Sequence, residues 1–195
     1  MKHASSQIVL THWSERRRNR AAPERNDIDP GVIRHALGDT FMLAADFVGE
    51  LRFRLAGTRT CALFGREVKG ESFRSFWSEE SRRQIDPLLK IVADESIGAV
   101  AGLTGTTADG TELDVEMLLL PLAHSGQARI RALGVLAPVT APFWLGEKPV
   151  IELGLRTLRH IGGAAAQDGR LPAGARRNGF IVYRGGREAP GERTA

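Results

Sequence analysis

Leu51-Arg-Phe-Arg-Leu-Ala-Gly-Thr-Arg-Thr-Cys-Ala-Leu-Phe-Gly-Arg-Glu-Val-Lys-Gly-Glu-Ser-Phe73 decides how the rest of the chain is read. Its opening residues alternate apolar and charged, the period of a strand with one covered face. Leu51, Phe53 and Leu55 therefore share that face, with Arg52 and Arg54 on the other. Gly57-Thr58 turns a corner, and residues 59–64 carry helical spacing that stops at Gly65. Gly70 marks a further turn before the large side chains of Phe73, Phe76 and Trp77.

Upstream, residues 41–45 supply a hairpin partner for this strand, joined near Val48-Gly49-Glu50. Residues 7–20 predict a short helix with Ile8, Val9 and Trp13 as its apolar positions. Its end carries Arg16, Arg17 and Arg20, which suit the negative pole of the helix dipole. A helix this short is marginal alone in water, so it is expected to pack on the rest of the protein. Asp29-Pro30 places an N-cap before a proline at the first helical position. That predicts a second helix over residues 30–37, with Ile33 and Leu37 toward a core and Gly38 as the stop.

Downstream, Ser78 caps a helix that opens Glu79-Glu80 and buries Ile85, Leu88, Leu89 and Val92, with Pro87 either kinking it or starting a new turn. Three strands come next, over about 99–106, 112–122 and 129–137. Asp109-Gly110 is a hairpin signal between the first two, and residues 124–127 turn between the last two with His124 exposed. Residues 150–161 suit a strand or a helix on periodicity alone. Residues 162–178, rich in Gly, Ala and Arg, read as a flexible linker, interrupted later by the apolar tetrad Phe180, Ile181, Val182 and Tyr183. The expected organisation is a helical extension over 1–37, a core over 38–140, an extension packing on it over 141–161, and a basic tail over 162–195.

With 195 residues, 42% hydrophobic and 26% charged, the chain can bury one core of ordinary domain size with arms around it. A single cysteine excludes an internal disulfide framework, and Cys61 lies in an apolar run that suits a small buried side chain. The first ten residues hold too short an apolar run for a signal peptide, and no stretch approaches the roughly 20 apolar residues that cross a bilayer. No membrane insertion and a cytoplasmic location are expected. The net charge of +4 is concentrated in residues 16–20 and in Arg176, Arg177, Arg184 and Arg187. Solvated arginines account for it, and specific nucleic-acid binding is not expected.

These segments carry a family pattern. Pro23-Glu-Arg-Asn-Asp-Ile-Asp-Pro30, Phe53-Arg-Leu-Ala-Gly-Thr58, Leu63-Phe-Gly-Arg-Glu67, Gly70, Phe76-Trp77 and Trp144-Leu-Gly146 occur in the order seen in a group of stand-alone PAS proteins frequent in alphaproteobacteria. The chain resembles this PAS_5 family over most of its length, from the Trp13 region to the final tetrad. Arg184 stands where the family commonly has an acidic residue. The resemblance implies an α+β PAS fold: a five-stranded antiparallel sheet with short helices on one face, plus N-terminal helices and a C-terminal extension. It also implies signalling through a protein partner or a small ligand, with a homodimer as the general PAS expectation.

The residues name no cofactor. Cys61 lies too early for the reactive cysteine of a photosensory flavin PAS domain, and its neighbours do not match that motif. The helix opening at Glu79 holds no histidine to ligate haem, and His3, His12, His35, His124 and His160 have no metal-ligand spacing. No phosphate-binding loop or nucleophile elbow occurs, so an enzyme is not expected. Glu112, Asp114 and Glu116 form an acidic stripe that cross-strand ion pairs with Arg129 and Arg131 would satisfy. Leu43, Phe53, Leu55, Phe64, Phe73, Trp77, Val115, Met117 and Ile130 would line a ligand cavity or equally fill a solid core. Trp13, Arg16, Arg17 and Arg20, with Phe180, Ile181, Val182 and Tyr183, are the interaction candidates. The function expected is a cytoplasmic regulator acting through a protein partner, its core optionally biased by a small apolar ligand. Alternatives are a sensor in which ligand binding is primary and a basic nucleic-acid-associated protein.

Overall fold

The computed structural model describes residues 1–123, 130–161, 175–177 and 180–182. Strands β1 (Thr40–Ala45), β2 (Leu51–Ala56), β3 (Gly98–Thr107), β4 (Glu112–Pro121), β5 (Ile130–Pro138) and β6 (Val150–Ile161) make an antiparallel sheet in the order β2-β1-β5-β4-β3-β6. Two three-residue strands, β7 (Ala175–Arg177) and β8 (Phe180–Val182), continue it beyond β6. The sheet thus holds more strands than the five expected, and residues 150–161 are a strand. Pairing with β3 from Gly98↔Ile161 to Thr107↔Val150 settles what periodicity left open.

Both faces of the sheet are covered. On the inner face lie helices α2 (Thr58–Phe64) and α3 (Glu79–Glu95), with a 3₁₀ turn at Phe73–Phe76 between them. On the outer face lie helix α1 (Ala4–Arg17) and the irregular segment after it. The two covers explain the unbroken apolar run Met117-Leu-Leu-Leu120: Met117 and Leu119 enter the inner cluster, Leu118 and Leu120 the outer one. The Ser78 cap forms as expected, its hydroxyl accepting from Ser81 N–H, and α3 runs through Pro87.

Four expectations are corrected. Residues 30–36 form turns, and only Leu37–Asp39 closes a 3₁₀ turn, because Asp29 spends its carboxylate on Gly31 N–H and its carbonyl on Val32 and Ile33 N–H. Helix α1 begins at Ala4, earlier than residue 7, with His3 as N-cap, and it ends at Arg17 where Arg18 takes a left-handed φ of 51°. Leu55 leaves the face of Phe53: Met42 pairs with Leu55 and Leu43 with Phe53, so Arg54 is an extra residue that puts Leu55 on the opposite face. Leu55 ends 46% exposed. Last, the acidic stripe does not pair with Arg131 in the register, because Glu116 stands opposite Ala137 at the far end of β5. The turn at 124–127 with His124, Arg129, residues 162–174 of the linker, and Tyr183 lie outside the described residues.

One segment ties both sides of the sheet. Gly70 N–H donates to Phe53 O at 2.7 Å and Phe53 N–H to Glu71 O at 3.0 Å, which occupies the edge of β2. Ser78 N–H donates to Leu153 O at 3.0 Å and Leu155 N–H to Ser81 Oγ at 2.9 Å, which occupies the edge of β6. Residues 70–81 therefore strap the two edges together over the inner cluster.

Candidate functional site

The interior under this strap is built of aromatic rings. Phe41, Phe53 and Phe73 lie 5.4–5.6 Å apart by ring centroid, Phe53 meets Phe76 at 5.5 Å, Phe64 meets Phe76 at 4.4 Å, and Phe73 meets Trp77 at 5.6 Å. Edge-to-face pairs dominate, the geometry that the ring quadrupole favours. Of the nine expected lining residues, Leu43, Phe53, Phe64, Phe73, Trp77, Val115 and Met117 gather in this cluster. Leu55 does not, for the reason given above, and the side chain of Ile130 lies outside what is described. Two polar atoms in this interior lack a hydrogen-bond partner among the described residues: the indole N–H of Trp77, 1% exposed, and the hydroxyl of Thr60.

The outer face holds α1 by a set of discrete polar contacts. Trp13 sits in the outer cluster, donates its indole N–H to Pro121 O at 2.8 Å, and carries the Arg17 guanidinium 5.3 Å from its ring centre. Glu116, 6% exposed, turns its carboxylate to the start of the helix and accepts from Lys2 N–H at 2.5 Å and His3 N–H at 3.1 Å. A carboxylate there satisfies backbone donors and meets the positive end of the helix. Asp114, its neighbour on β4, pairs instead with Arg156 at 2.5 Å.

A second clasp joins α1 to α2 through Asp39. The Ser5 hydroxyl donates to Asp39 Oδ2 at 2.5 Å, and Arg59 holds the same carboxylate through Nε and Nη2, both at 2.7 Å. Arg59 Nη2 also reaches His35 O at 3.1 Å, and the hydrogen bonds to Asp39 hold the guanidinium above its ordinary pKa against desolvation. The backbone under this fork is close-packed. Gly57 N–H donates to Thr40 O at 2.8 Å, and a Cβ at Gly57 would lie 2.0 Å from Leu37 O.

The segment 23–30 completes the cover. Ala123 N–H donates to Pro23 O at 2.8 Å beside the end of β4, and Asp29 N–H donates to His12 Nε2 at 3.0 Å. His12 is buried, and its Nδ1 has no partner among the described residues. Burial first, then the nearby Arg16 charge, pushes its pKa below the ordinary 6.5, over the opposing pull of Glu15 and Asp29.

The expected interaction residues divide. Trp13 is buried against the sheet, Arg17 is half-buried on its ring, and Arg16 and Arg20 are exposed, with Arg20 paired to Asp27 at 2.7 Å. Phe180, Ile181 and Val182 form β8, where Phe180 pairs with Ile161. The clasp residues Ser5, Asp39, Arg59 and Glu116 escaped sequence reasoning. The available signal was an acid set in an apolar run, at Asp39 before Thr-Phe-Met and at Glu116 between Val115 and Met117.

Among known proteins, the profile of the PAS_5 family, described as a PAS domain, matches residues 1–137. No curated protein matches the chain. Among solved structures, the dark structure of the blue-light photoreceptor Aureochrome1 LOV is 16% identical, with a TM-score of 0.43 over 58% of this chain and 86% of that one. The Rhodobacter sphaeroides LOV protein is 14% identical, with a TM-score of 0.43 over 53% of this chain and 60% of that one. The PAS domain of a Colwellia psychrerythraea protein is 14% identical, with a TM-score of 0.40 over 56% of this chain and 97% of that one.

Proposed function

Because the chain belongs to the PAS_5 family of PAS domains, a class of sensor and signalling units, we propose that it is a cytoplasmic regulator that acts by binding a protein partner rather than by catalysis. The carrying observation is the way α1 is held. Its apolar side covers the outer sheet face, while a few polar contacts at Glu116, Asp39 and Pro121 fix its position. Such a helix has two well-defined states, docked and released, and a partner that prefers one of them shifts the balance. The Asp39–Arg59 fork connects that balance to α2, which lies on the inner cluster. A change of inner packing thereby reaches the helix on the opposite face.

The test is capture from extract with three baits: the intact protein, Glu116→Ala, and a chain lacking residues 1–17. A partner enriched or lost on Glu116→Ala relative to the intact protein, and altered again by the deletion, supports control through α1. Equal capture by all three baits sinks it.

One observation favours a second reading, in which a small ligand acts in the core. An indole N–H buried without an acceptor, as at Trp77, is costly and rare, and a ligand acceptor would satisfy it. Native mass spectrometry of freshly purified protein tests this. A noncovalent extra mass that falls away in Trp77→Phe supports it, and a bare mass argues against it. Among the described residues no helix is long and apolar enough to cross a membrane.

A further inference from the structure

Ahead of α1, the outer face of the sheet opens into a pocket of about 220 Å³ whose lining includes Gly102. Alternation along β3 sends Val100, Gly102 and Thr104 to this face. Gly102 adds no side chain, and a Cβ there would lie 2.8 Å from Thr157 Oγ1, so the glycine leaves open the space between its neighbours. It stands opposite Glu116 on β4 and Thr157 on β6. Arg156 is an extra residue in β6, because Gly102 pairs with Thr157 and Leu103 with Leu155. From there it reaches past β3 to Asp114 on β4 at 2.5 Å and closes one end of the pocket. Lys2, anchored by its backbone N–H to Glu116, borders the pocket on the β4 side, and Arg159 borders it on the β6 side.

The carboxylates of this pocket are engaged, and its donors are not. Glu116 accepts from Lys2 N–H and His3 N–H, and Asp114 is paired with Arg156. Thr157 Oγ1 accepts from Gly102 N–H at 3.2 Å, which leaves the hydroxyl proton to donate elsewhere. Lys2 and Arg159 line the same pocket, and neither side chain has an ion pair among the described residues. Two cations and a hydroxyl proton thus border one small space with no acceptor matched to them.

We infer that this pocket binds a small dianion, a short dicarboxylate or a phosphate group, lying over Gly102 between Lys2 and Arg159. A cation would meet Lys2 and Arg159 with both nearby carboxylates already engaged, and a neutral ligand would leave both charges unmatched. A dianion offers each of them a charge-assisted hydrogen bond, and the Thr157 hydroxyl a third. The volume lies below the roughly 300–1,000 Å³ of sites for drug-sized ligands, which rules out a nucleotide or a peptide. Val100 and Val139 supply apolar contact for a short carbon chain. The site is on the opposite face of the sheet from the aromatic interior, so it is separate from any ligand that Trp77 would meet. Lys2 leads into α1 and Arg159 belongs to β6, so a bound dianion would tie the helix to the sheet. That consequence rests on the role proposed for α1, whereas the binding does not.

Titration of the isotope-labelled protein, followed by its amide NMR spectrum, tests the site with succinate, inorganic phosphate, acetate and sodium chloride at matched ionic strength. Succinate or phosphate is expected to shift the amides of Gly102 and Thr157 saturably. Acetate, with one charge, should bind at least about tenfold more weakly. Tighter binding of succinate identifies a dicarboxylate site, and tighter binding of phosphate a phosphate site. Lys2→Gln and Arg159→Gln should each weaken binding about tenfold, and unchanged melting temperatures show that both variants fold. Arg16→Gln, which removes an exposed charge near the other end of α1, should bind as the intact protein does. The inference is overturned if neither dianion saturates, if sodium chloride reproduces the shifts, or if binding survives in both pocket variants. An equal loss in Arg16→Gln overturns it as well, because the effect is then one of net charge. No step involves partner capture or the release of α1, so this site and the proposed function stand or fall separately.

Discussion

Truncating Trp13 to alanine asks whether α1 is a separable cover or an inseparable part of the core. Removing a buried tryptophan costs about 3–5 kcal/mol, and losing its hydrogen bond about 1 kcal/mol. Part of the second figure is already inside the first, so about 4 kcal/mol is the working value. Two facts direct the loss onto docking. Trp13 belongs to the outer cluster, not to the ring stack on the inner face. And α1, at 14 residues, is marginal as a free helix, so once undocked it unravels. Hydrogen exchange read by mass spectrometry should then show amides of α1 losing about a thousandfold of protection, since about 1.4 kcal/mol is tenfold. Amides of β1, β3 and β4 should keep theirs. Trp13→Phe retains most of the area and loses only the N–H, so about a fivefold to tenfold loss is expected. Protection falling equally in α1 and the strands would refute the separable cover, and unchanged protection in α1 would refute the weight placed on Trp13.

Three further outcomes rest on the same geometry. Arg59→Ala leaves the buried Asp39 carboxylate with Ser5 alone; because Arg59 is half exposed, the lower end of the 1.5–3 kcal/mol range for charged hydrogen bonds is expected, about 1.5 kcal/mol, read as a lower urea midpoint. An unmoved midpoint would count against the clasp. Gly57→Ala drives a methyl to 2.0 Å from Leu37 O, so a loss of about 3 kcal/mol or more is expected, and near-native melting would show that the corner relaxes freely. Acidification acts through His12 and His160, both held below the ordinary 6.5 by burial, with Arg16 adding at His12 and Glu95 opposing at His160. A histidine with a lowered folded pKa binds its proton more readily when unfolded. Stability is therefore full above pH 6.5 and falls as the pH drops below it toward the folded values. His12→Gln should flatten part of that fall, and a melting temperature that rises on mild acidification would contradict the sign.

What was legible in the sequence was what neighbouring residues settle between themselves. The Gly57-Thr58 corner, the helix ended by Gly65, the Ser78 cap and the Asp109-Gly110 turn all form within a few residues, and all are present. The misreadings arose where a distant partner decided. Asp29 has the chemistry of a helix cap, yet its backbone N–H is claimed by His12, 17 residues away, and its carboxylate by a local turn. Leu55 continues the alternation of Leu51 and Phe53 perfectly, and only the pairing of β2 with β1 reveals the extra residue. Residues 150–161 fit two periods, and β3 selects one. The clasp is the extreme case. Glu116 meets Lys2 and His3 across 113 residues or more, and Asp39 meets Ser5 across 34, so no window of sequence contains either pair.

The strap over residues 70–81 bears on how this domain can signal. An exposed strand edge invites a partner to add a strand, but the central part of each outer edge is already engaged here. Phe53 is paired on one side, Leu153 and Leu155 on the other, and β8 meets Ile161 beyond them. The strap leaves open the outer face that α1 covers. The strap also carries Phe73, Phe76 and Trp77, the rings that close the inner cluster. A rearrangement of those rings would pull on β2 and β6 together, and β1, β3, β4 and β5, the floor of α1, lie between them. Strain generated inside would by that path reach the face where Trp13 and Glu116 hold the helix.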